Sequence, residues 1–307
     1  MGYNCVVCVK QVPDTKRITG EAMTEEGTVN RAALPAIFNP EDLNALEQAL
    51  AVRDAHGGTV TVITMGLPAA SEVLREGLYR GADRVILITD RRAAASDTLA
   101  TSYILSCAVK KLAPDIIFCG RQAIDGDTAQ VGPQLAEKLQ MTQITYLEEL
   151  ISLEERTIRI RRNVGNGYEV VRAELPVLLT VMDTTNQPRP AAAKKMMKFK
   201  KAMSRAEVEA IAEHLLEGDY EDYTAELKAG EVDKYCGKLK QKGLLIEQWS
   251  LDDIEADLSW CGMSGSPTKV HKIQSVVLTG GQHKQIDPTD EGIGELVSEL
   301  IKEHTIG

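Results

Sequence analysis

A glycine-containing run in the middle of the chain has the residue types that hold phosphate groups. Residues 120–133 read GRQAIDGDTAQVGP and directly follow the short apolar segment 115–119. This placement predicts a strand that runs into a loop, with a helix beginning near Asp127. The start of a helix has unpaired amide groups and a partial positive charge, so it suits a phosphate.

The side chains of this run fit that chemistry, but they also fit a role within the protein. Gly126 lets a ligand approach the backbone closely, Thr128 supplies a hydroxyl donor and Gln130 an amide donor. Asp127 and Gln130 are also spaced as a capping box, which would satisfy the same amide groups. Since carboxylates repel a diphosphate, we expect Asp125 and Asp127 to cap the helix, bind ribose hydroxyls or shape the loop. The run matches neither G-x-G-x-x-G nor G-x-x-x-x-G-K-[ST].

Strands and helices alternate through the first half of the chain. The hydrophobic pattern predicts strands at 3–9, 59–65, 85–89 and 115–119, and helices at 41–56, 69–79 and 97–112. This alternation predicts an α/β fold with a parallel core sheet and helices on both faces. Ligands of such sheets bind beyond the carboxyl ends of the strands, here the loops after Val9, Thr64 and Cys119.

The pattern changes after residue 142. Two β-rich segments, 157–161 and 168–171, flank Asn163-Val164-Gly165-Asn166-Gly167, and Asn-Gly between such segments is a strong hairpin signal. One more strand is predicted at 175–181. We therefore expect a nucleotide-binding α/β domain over residues 1–190, with a β-hairpin at about 155–172.

Residues 191–307 are predicted to form a C-terminal arm. The arm begins with a lysine run, continues through an acidic helical insertion at about 204–258 and ends in a short amphipathic helix. Helices are predicted at 207–216 and 221–242, and near the end around Ile293, Leu296, Val297, Leu300 and Ile301. The arm has little core of its own, so it either packs on another chain or wraps its own first domain.

Composition limits the classes of function. A net charge of -10 over 307 residues argues against nucleic acid as a partner, because phosphate backbones need a basic face. No apolar stretch reaches the roughly 18 residues of a membrane span, and the N-terminus has no basic signal region. Six dispersed cysteines fit a reduced, cytoplasmic protein. Cys5 and Cys8 lie three apart on a predicted strand, so they point to opposite faces and are expected to be buried thiols.

Several motifs together resemble the beta subunit of electron transfer flavoproteins. They are the run 120–133, residues 9–14 (VKQVPD), Asn39-Pro40, Gly81-Ala82-Asp83, residues 175–180 (LPVLLT) and residues 265–270 (GSPTKV). The resemblance spans nearly the whole chain apart from about 204–258, for which we expect no counterpart in the family. The runs 120–133 and 265–270 are most similar to the flavin-bifurcating branch.

The resemblance implies an adenine-nucleotide-hydrolase-like α/β domain whose nucleotide lies across the three loops. Conventional members hold AMP there, and bifurcating members hold a second FAD. The cofactor-binding residues that it implies are Cys8, Val9, Asn39, Asp42, Met65, Gly120, Arg121, Gln122, Asp125, Gly126, Asp127, Thr128, Ala129, Gln130 and Val131. An ATP-pyrophosphatase on a similar sheet is less consistent with the sequence, because no S-G-G-x-D-S-like loop follows the first strand.

The resemblance also implies partners. An alpha subunit would carry the other FAD, NADH would donate electrons, and ferredoxin or flavodoxin and an acyl-CoA dehydrogenase-type protein would accept them. The lysine run lies where the family approaches its dehydrogenase, although it also fits a solvated helix end. The five histidines are scattered, so we expect neither a catalytic set nor a metal. Two alternatives remain open, a conventional beta subunit with structural AMP and a nucleotide-sensing module without a redox role.

Overall fold

The computed structural model describes residues 2–14, 35–215, 231–268, 286 and 289–302. Its first part contains β1 (Tyr3–Cys8), β2 (Gln11–Pro13), β3 (Ala36–Phe38), α1 (Pro40–His56), β4 (Gly58–Met65), α2 (Ser71–Arg80), β5 (Arg84–Ile88), α3 (Thr98–Leu112), β6 (Ile116–Gly120) and α4 (Val131–Leu139). The chain continues through β7 (Thr142–Glu154), β8 (Thr157–Asn163), β9 (Tyr168–Glu174) and β10 (Val177–Val181). Its last part contains α5 (Ala193–Phe199), β11 (Met203–Ser204), α6 (Arg205–Leu215), α7 (Val232–Gln241), β12 (Leu245–Trp249), α8 (Gly262–Gly265) and α9 (Asp290–Lys302).

One ten-stranded sheet organises the described part of the chain, in the order β11-β12-β5-β4-β1-β6-β10-β7-β8-β9. The pairs from β11 to β7 are parallel. Such strands are buried on both faces, and β1 is accordingly an apolar segment almost without exposure. One aliphatic cluster lies between the sheet and helices α1 and α2, and another between the sheet and helices α3 and α4. The predicted α/β class with a parallel core sheet is confirmed.

The cysteine expectation is also confirmed. Cys5 belongs to the cluster under α1 and α2, whereas Cys8 belongs to the cluster on the opposite face. Both thiols are free and buried. Burial raises the pKa of Cys5 to about 12, so this thiol stays protonated and inert.

The predicted hairpin is confirmed at the far edge of the sheet. Strands β7, β8 and β9 pair antiparallel, and β10 returns between β6 and β7 to continue the parallel part. Arg161 and Arg162 of the hairpin form ion pairs with neighbouring glutamates. The hairpin thus extends the sheet away from the three predicted ligand loops.

The start of α4 differs from the prediction. The helix begins at Val131 and not near Asp127, because Asp127 and Ala129 have φ angles of 49° and 52°, which a right-handed helix cannot contain. Pro133 fits within the first turn, where its missing amide costs no helical hydrogen bond. Residues 121–130 therefore form a loop.

Segment 204–258 contributes strands to the same sheet. Strand β12 pairs with β5, and β11 pairs with β12, so this segment extends the sheet beyond β5. The predicted helix 207–216 is α6, apart from residue 216. Of the predicted helix 221–242, the described part contains α7, and residues 221–230 lie outside the described residues. Lys269 and Val270 also lie outside them. The division at residue 190 stays a prediction.

The predicted terminal helix is confirmed as α9. Its residues Ile293, Val297 and Ile301 are exposed at four-residue spacing and form an apolar stripe. Among the helices of the described residues, none combines the length and apolar character needed to cross a membrane.

A buried carboxylate ties the central strand ends together. Asp42, in the first turn of α1, accepts a hydrogen bond from the Lys10 amide at 2.8 Å after β1 and from the Gly120 amide at 3.0 Å at the end of β6. A Cβ atom at Gly120 would collide with the Asp42 carboxylate, so only glycine fits there. Burial raises the pKa of Asp42 to about 7, although the two amides and Asn39 favour its charged form.

This burial predicts a pH-dependent stability that Asp42→Asn removes. Because the folded-state pKa lies above the unfolded value of about 4, the carboxyl contributes most to stability at low pH and loses that contribution as the pH rises to about 7. Between those values the wild-type free energy of unfolding should fall, relative to Asp42→Asn, by up to about 1.4 kcal/mol per pH unit.

Urea unfolding of both proteins across this pH range measures the difference. Equal denaturant slopes would show that both proteins unfold from similarly compact native states. Parallel pH profiles for the wild type and the variant would contradict the assignment of this proton to Asp42.

Candidate functional site

The residues predicted from the sequence meet at one edge of the sheet. Strands β4, β1 and β6 are neighbours, and Cys8 pairs with Ile63 on one side and Cys119 on the other. Cys8 ends β1 and Val9 follows it, Met65 ends β4 and Gly120 ends β6. Because parallel strands end at a common edge, the three loops that follow lie side by side.

Asn39 fixes the loop that follows β6. This fully buried side chain donates from Nδ2 to the Gln122 carbonyl at 2.9 Å and accepts from the Ile124 amide at 3.1 Å through Oδ1. Its own backbone amide donates to the Lys10 carbonyl at 3.0 Å. Asn39, which directly precedes α1, therefore holds both the loop after β1 and the loop after β6.

Glu41 completes this attachment and was missed by the sequence reasoning. Its buried carboxylate accepts from the Gln122 amide at 2.8 Å and pairs with the Arg121 guanidinium at 2.7 Å. The signal in the sequence was two consecutive carboxylates, Glu41 and Asp42, directly after Asn39-Pro40. Acidic residues of a first helical turn usually stabilise the helix itself, and here they hold another loop.

The charges around the loop are balanced. Lys10 pairs with Asp125 at 2.7 Å, and Arg121 pairs with Glu41. The site is therefore not a basic groove. The Asp125 carboxylate that would repel a phosphate faces an ammonium group, which reduces that repulsion.

The distal half of the loop presents a row of available amide groups. Within the part of the chain that the structure describes, the amides of Thr128, Ala129, Gln130, Val131 and Gly132 donate to no protein acceptor. Ala129 has a positive φ of 52° and Gln130 follows in the right-handed region, with φ -101° and ψ -30°. Successive residues of opposite handedness turn their amides toward one concave side, which is the geometry of an anion-binding nest.

The capping box predicted for Asp127 and Gln130 is wrong. Asp127 accepts a hydrogen bond from Gln122 Nε2 at 3.1 Å, and Gln130 Oε1 accepts from Thr98 Oγ1 at 2.9 Å. Among the described residues, no side chain caps α4, because the strained backbone at 127 and 129 places the side chains of Asp127 and Gln130 away from the helix start. The amides that self-capping would have used remain available.

The exposed face of the loop also has room for a ligand. Gly126, Asp127 and Thr128 are exposed, and a Cβ atom at Gly126 would meet no atom within 4 Å. Within the described segments, three buried side-chain atoms near this edge have no hydrogen-bond partner, namely Thr64 Oγ1, Arg121 Nε and Gln134 Oε1. Buried polar atoms without a partner are uncommon in native proteins, and a bound water or ligand is one way to satisfy them.

A cavity of about 790 Å³ lies at the end of β4, where Met65 contributes to its lining. The ends of β4 and β5, the segment 89–96 and one face of α6 line it. Its polar lining comes from Thr89, Asp90, Arg91, Ser96, Glu209, Glu213 and Gln248. The sequence reasoning found only Met65, because the other walls meet through the pairing of β12 with β5, and no local pattern predicts that pairing.

The arrangement is suited to binding and orientation. Among the described residues, no group of three histidine, cysteine or acidic side chains could hold a metal ion. The side chains of Lys10, Asn39, Glu41 and Arg121 hold the loop in its shape, and the backbone amides of its distal half are the available donors. Backbone donors hold an anion without contributing a proton transfer.

Comparisons with known proteins identify the family of the chain. The family model described as "Electron transfer flavoprotein domain" matches residues 26–213. The "Electron transfer flavoprotein subunit beta" of Clostridium acetobutylicum is 40% identical over 304 residues, covering 99% of this chain and 100% of that one. The protein of the same name from Megasphaera elsdenii is 48% identical over 276 residues, covering 87% and 86%.

Another relative is the "Caffeyl-CoA reductase-Etf complex subunit CarD" of Acetobacterium woodii, 38% identical over 304 residues, covering 98% of this chain and 99% of that one. The expectation that 204–258 has no counterpart in the family is wrong, because an alignment over 99% of the chain includes that segment. With a matching family model and relatives aligned over nearly their whole length, the chain belongs to the electron transfer flavoprotein family, as a beta subunit.

Proposed function

We propose that this beta subunit binds FAD across the carboxyl edge of its sheet and pairs with an alpha subunit in a flavin-bifurcating complex. The observation that carries the proposal is the row of amides from Thr128 to Gly132, which have no protein acceptor among the described residues. A cavity of about 790 Å³ includes Ser96 in its lining, and Thr98, two residues later, is hydrogen-bonded to Gln130 of this row. The proposed setting is the cytoplasm.

The amide row would hold the pyrophosphate. Amides at a helix start attract anions through their partial positive charge, and a nest adds several donors directed at one point. Lys10 and Arg121 lie at the same loop but are already paired with carboxylates. The proposed hold on phosphate therefore depends on backbone geometry and not on a charged side chain.

The cavity supports FAD over AMP. The loop and the ends of β1 and β4 offer places for one adenylate, whereas FAD needs a further, mostly apolar space for its flavin ring. A volume of about 790 Å³ lies within the range of about 300–1,000 Å³ that is typical of ligand pockets. Met65, at the end of β4, would contact both parts of the dinucleotide, since it lines the cavity and lies at the predicted nucleotide site.

The bifurcating role is supported by similarity. One relative is named as a subunit of a caffeyl-CoA reductase-Etf complex. When bound, FAD would supply hydride acceptance from NADH and the release of single electrons. The proposed acceptors are ferredoxin or flavodoxin and, through the FAD of the alpha subunit, an acyl-CoA dehydrogenase-type protein.

The basic end of α5 supports the docking of that dehydrogenase. Met196 and Met197 are exposed between Lys194, Lys195 and Lys198, so this surface combines apolar side chains with positive charge. Exposed flexible side chains surrounded by charge are typical of transient protein contacts. The stripe on α9 would instead contact the alpha subunit.

Thr128→Glu tests the phosphate site. A carboxylate beside the amide row would repel the pyrophosphate, and we expect FAD affinity in the two-subunit complex to fall about 10- to 100-fold, or roughly 1.4–2.8 kcal/mol. The matched control is Asn166→Glu, which adds the same charge to the exposed turn of the hairpin. Equal affinities in the two variants, measured by flavin titration, would exclude this loop as the phosphate site.

Ala210→Trp separates FAD from AMP. Ala210 is exposed on α6 and faces the cavity, so an indole there should fill the proposed flavin space and leave the phosphate loop intact. We expect two flavins per wild-type complex and one per variant complex, with AMP binding retained in the variant. One flavin and one AMP in the wild-type complex would instead identify a conventional beta subunit.

Met197→Asp tests the docking surface. We expect the apparent KM for an acyl-CoA dehydrogenase-type acceptor to rise about tenfold, because a buried methionine contributes roughly 1.5–3 kcal/mol to an interface. Flavin content should not change. The control is Met263→Asp, since Met263 is 63% exposed and Met197 67%. An unchanged KM in Met197→Asp would contradict docking at this surface.

A further inference from the structure

Loop 93–97, which forms one wall of the cavity, packs against a segment that comes much later in the chain. Segment 262–268 contains α8 and follows β12, and it packs against the loop 93–97 that precedes α3. Gly262 has a φ of 61°, and a Cβ atom there would collide with the carbonyl of Arg92. The contact between the two segments is therefore so close that only glycine fits.

Ser266 is the centre of this attachment. It is only 4% exposed, and its hydroxyl donates to the Gly262 carbonyl at 2.7 Å while accepting from the Asp97 amide at 2.8 Å. A second hydrogen bond joins the two segments, since Asp97 Oδ2 accepts from the Thr268 amide at 2.9 Å. In a third hydrogen bond between the segments, Ser96 Oγ accepts from the Gly262 amide at 3.1 Å.

Loop 93–97, which these hydrogen bonds hold in place, connects the two parts of the proposed nucleotide site, namely the cavity and the amide row 128–132. Its residues Ala93, Ala94, Ala95 and Ser96 line the cavity. Asp97 caps α3 through bonds from the Leu99 and Ala100 amides, both 3.0 Å. Thr98, the first residue of that helix, donates to Gln130 in the amide row at 2.9 Å.

We propose that Ser266 is a positioning residue for the bound nucleotide, which acts by fixing loop 93–97 and, through Thr98, the Gln130 end of the amide row. Ser266 is not itself part of the cavity lining. The inference rests on the proposed function, since it assigns a role in holding the nucleotide of that same site.

Ser266→Ala in the two-subunit complex tests the proposal. The change leaves the Asp97 amide without an acceptor, and we expect FAD affinity to fall about tenfold with an altered visible circular dichroism of the flavin. Ser266→Thr, which keeps the hydroxyl, should restore both. The control is Ser106→Ala, which removes an equally buried hydroxyl of α3 that bonds only within its own helix.

Two further measurements keep the test decisive. Amide hydrogen exchange at residues 93–100 of the nucleotide-free complex should be faster in Ser266→Ala than in Ser106→Ala, whichever nucleotide the wild type holds. If Ser266→Ala does not fold, Thr98→Val removes the link to Gln130 without disturbing the buried serine, and the same loss of affinity is expected.

The outcomes separate the two proposals. If the wild-type complex holds AMP in place of FAD, the proposed function fails in its cofactor, and the positioning role is then measured as a loss of AMP affinity. Unchanged nucleotide affinity and unchanged exchange at residues 93–100 in Ser266→Ala would overturn the role of Ser266, even if FAD is bound.

Discussion

The candidate site depends on a loop whose distal backbone amides have no protein acceptor among the described residues. Polar side chains normally satisfy the first amides of a helix, and an exposed helix start is readily capped. Here the buried side chains of Asn39 and Glu41 fix the loop after β6. The loop then reaches α4 through Asp127 and Ala129, which both have positive φ. The strain of that backbone, roughly 1–3 kcal/mol per residue, is held by buried hydrogen bonds at the start of α1.

Buried hydrogen bonds also bring distant parts of the chain together at the candidate site. The end of β1, the start of α1 and the end of β6 meet through Asp42, and a later segment supports the cavity from behind through Ser266. The strand β12 extends the sheet beyond β5, which brings α6 against the ends of β4 and β5 and encloses the cavity. A parallel sheet provides the common edge, and the loops provide the chemistry.

Local pattern predicted most of the fold and placed the residues of the candidate site in loops that the structure brings together. The apolar strands and periodic helices up to residue 139, the Asn-Gly hairpin and α9 follow from short-range signals. The start of α4 was misplaced, because a capping-box spacing does not reveal the positive φ of Asp127 and Ala129. Glu41 and the cavity were missed since their roles arise from contacts between residues far apart in sequence, such as Glu41 with Gln122 and β12 with β5.

The most direct test is an experimental structure of the two-subunit complex with its native nucleotide bound. We expect phosphate oxygens within about 3.2 Å of several amide nitrogens between Thr128 and Gly132. The rest of the nucleotide should extend past Met65 into the cavity. Phosphate bound elsewhere, with these amides hydrogen-bonded to protein or water alone, would contradict the account.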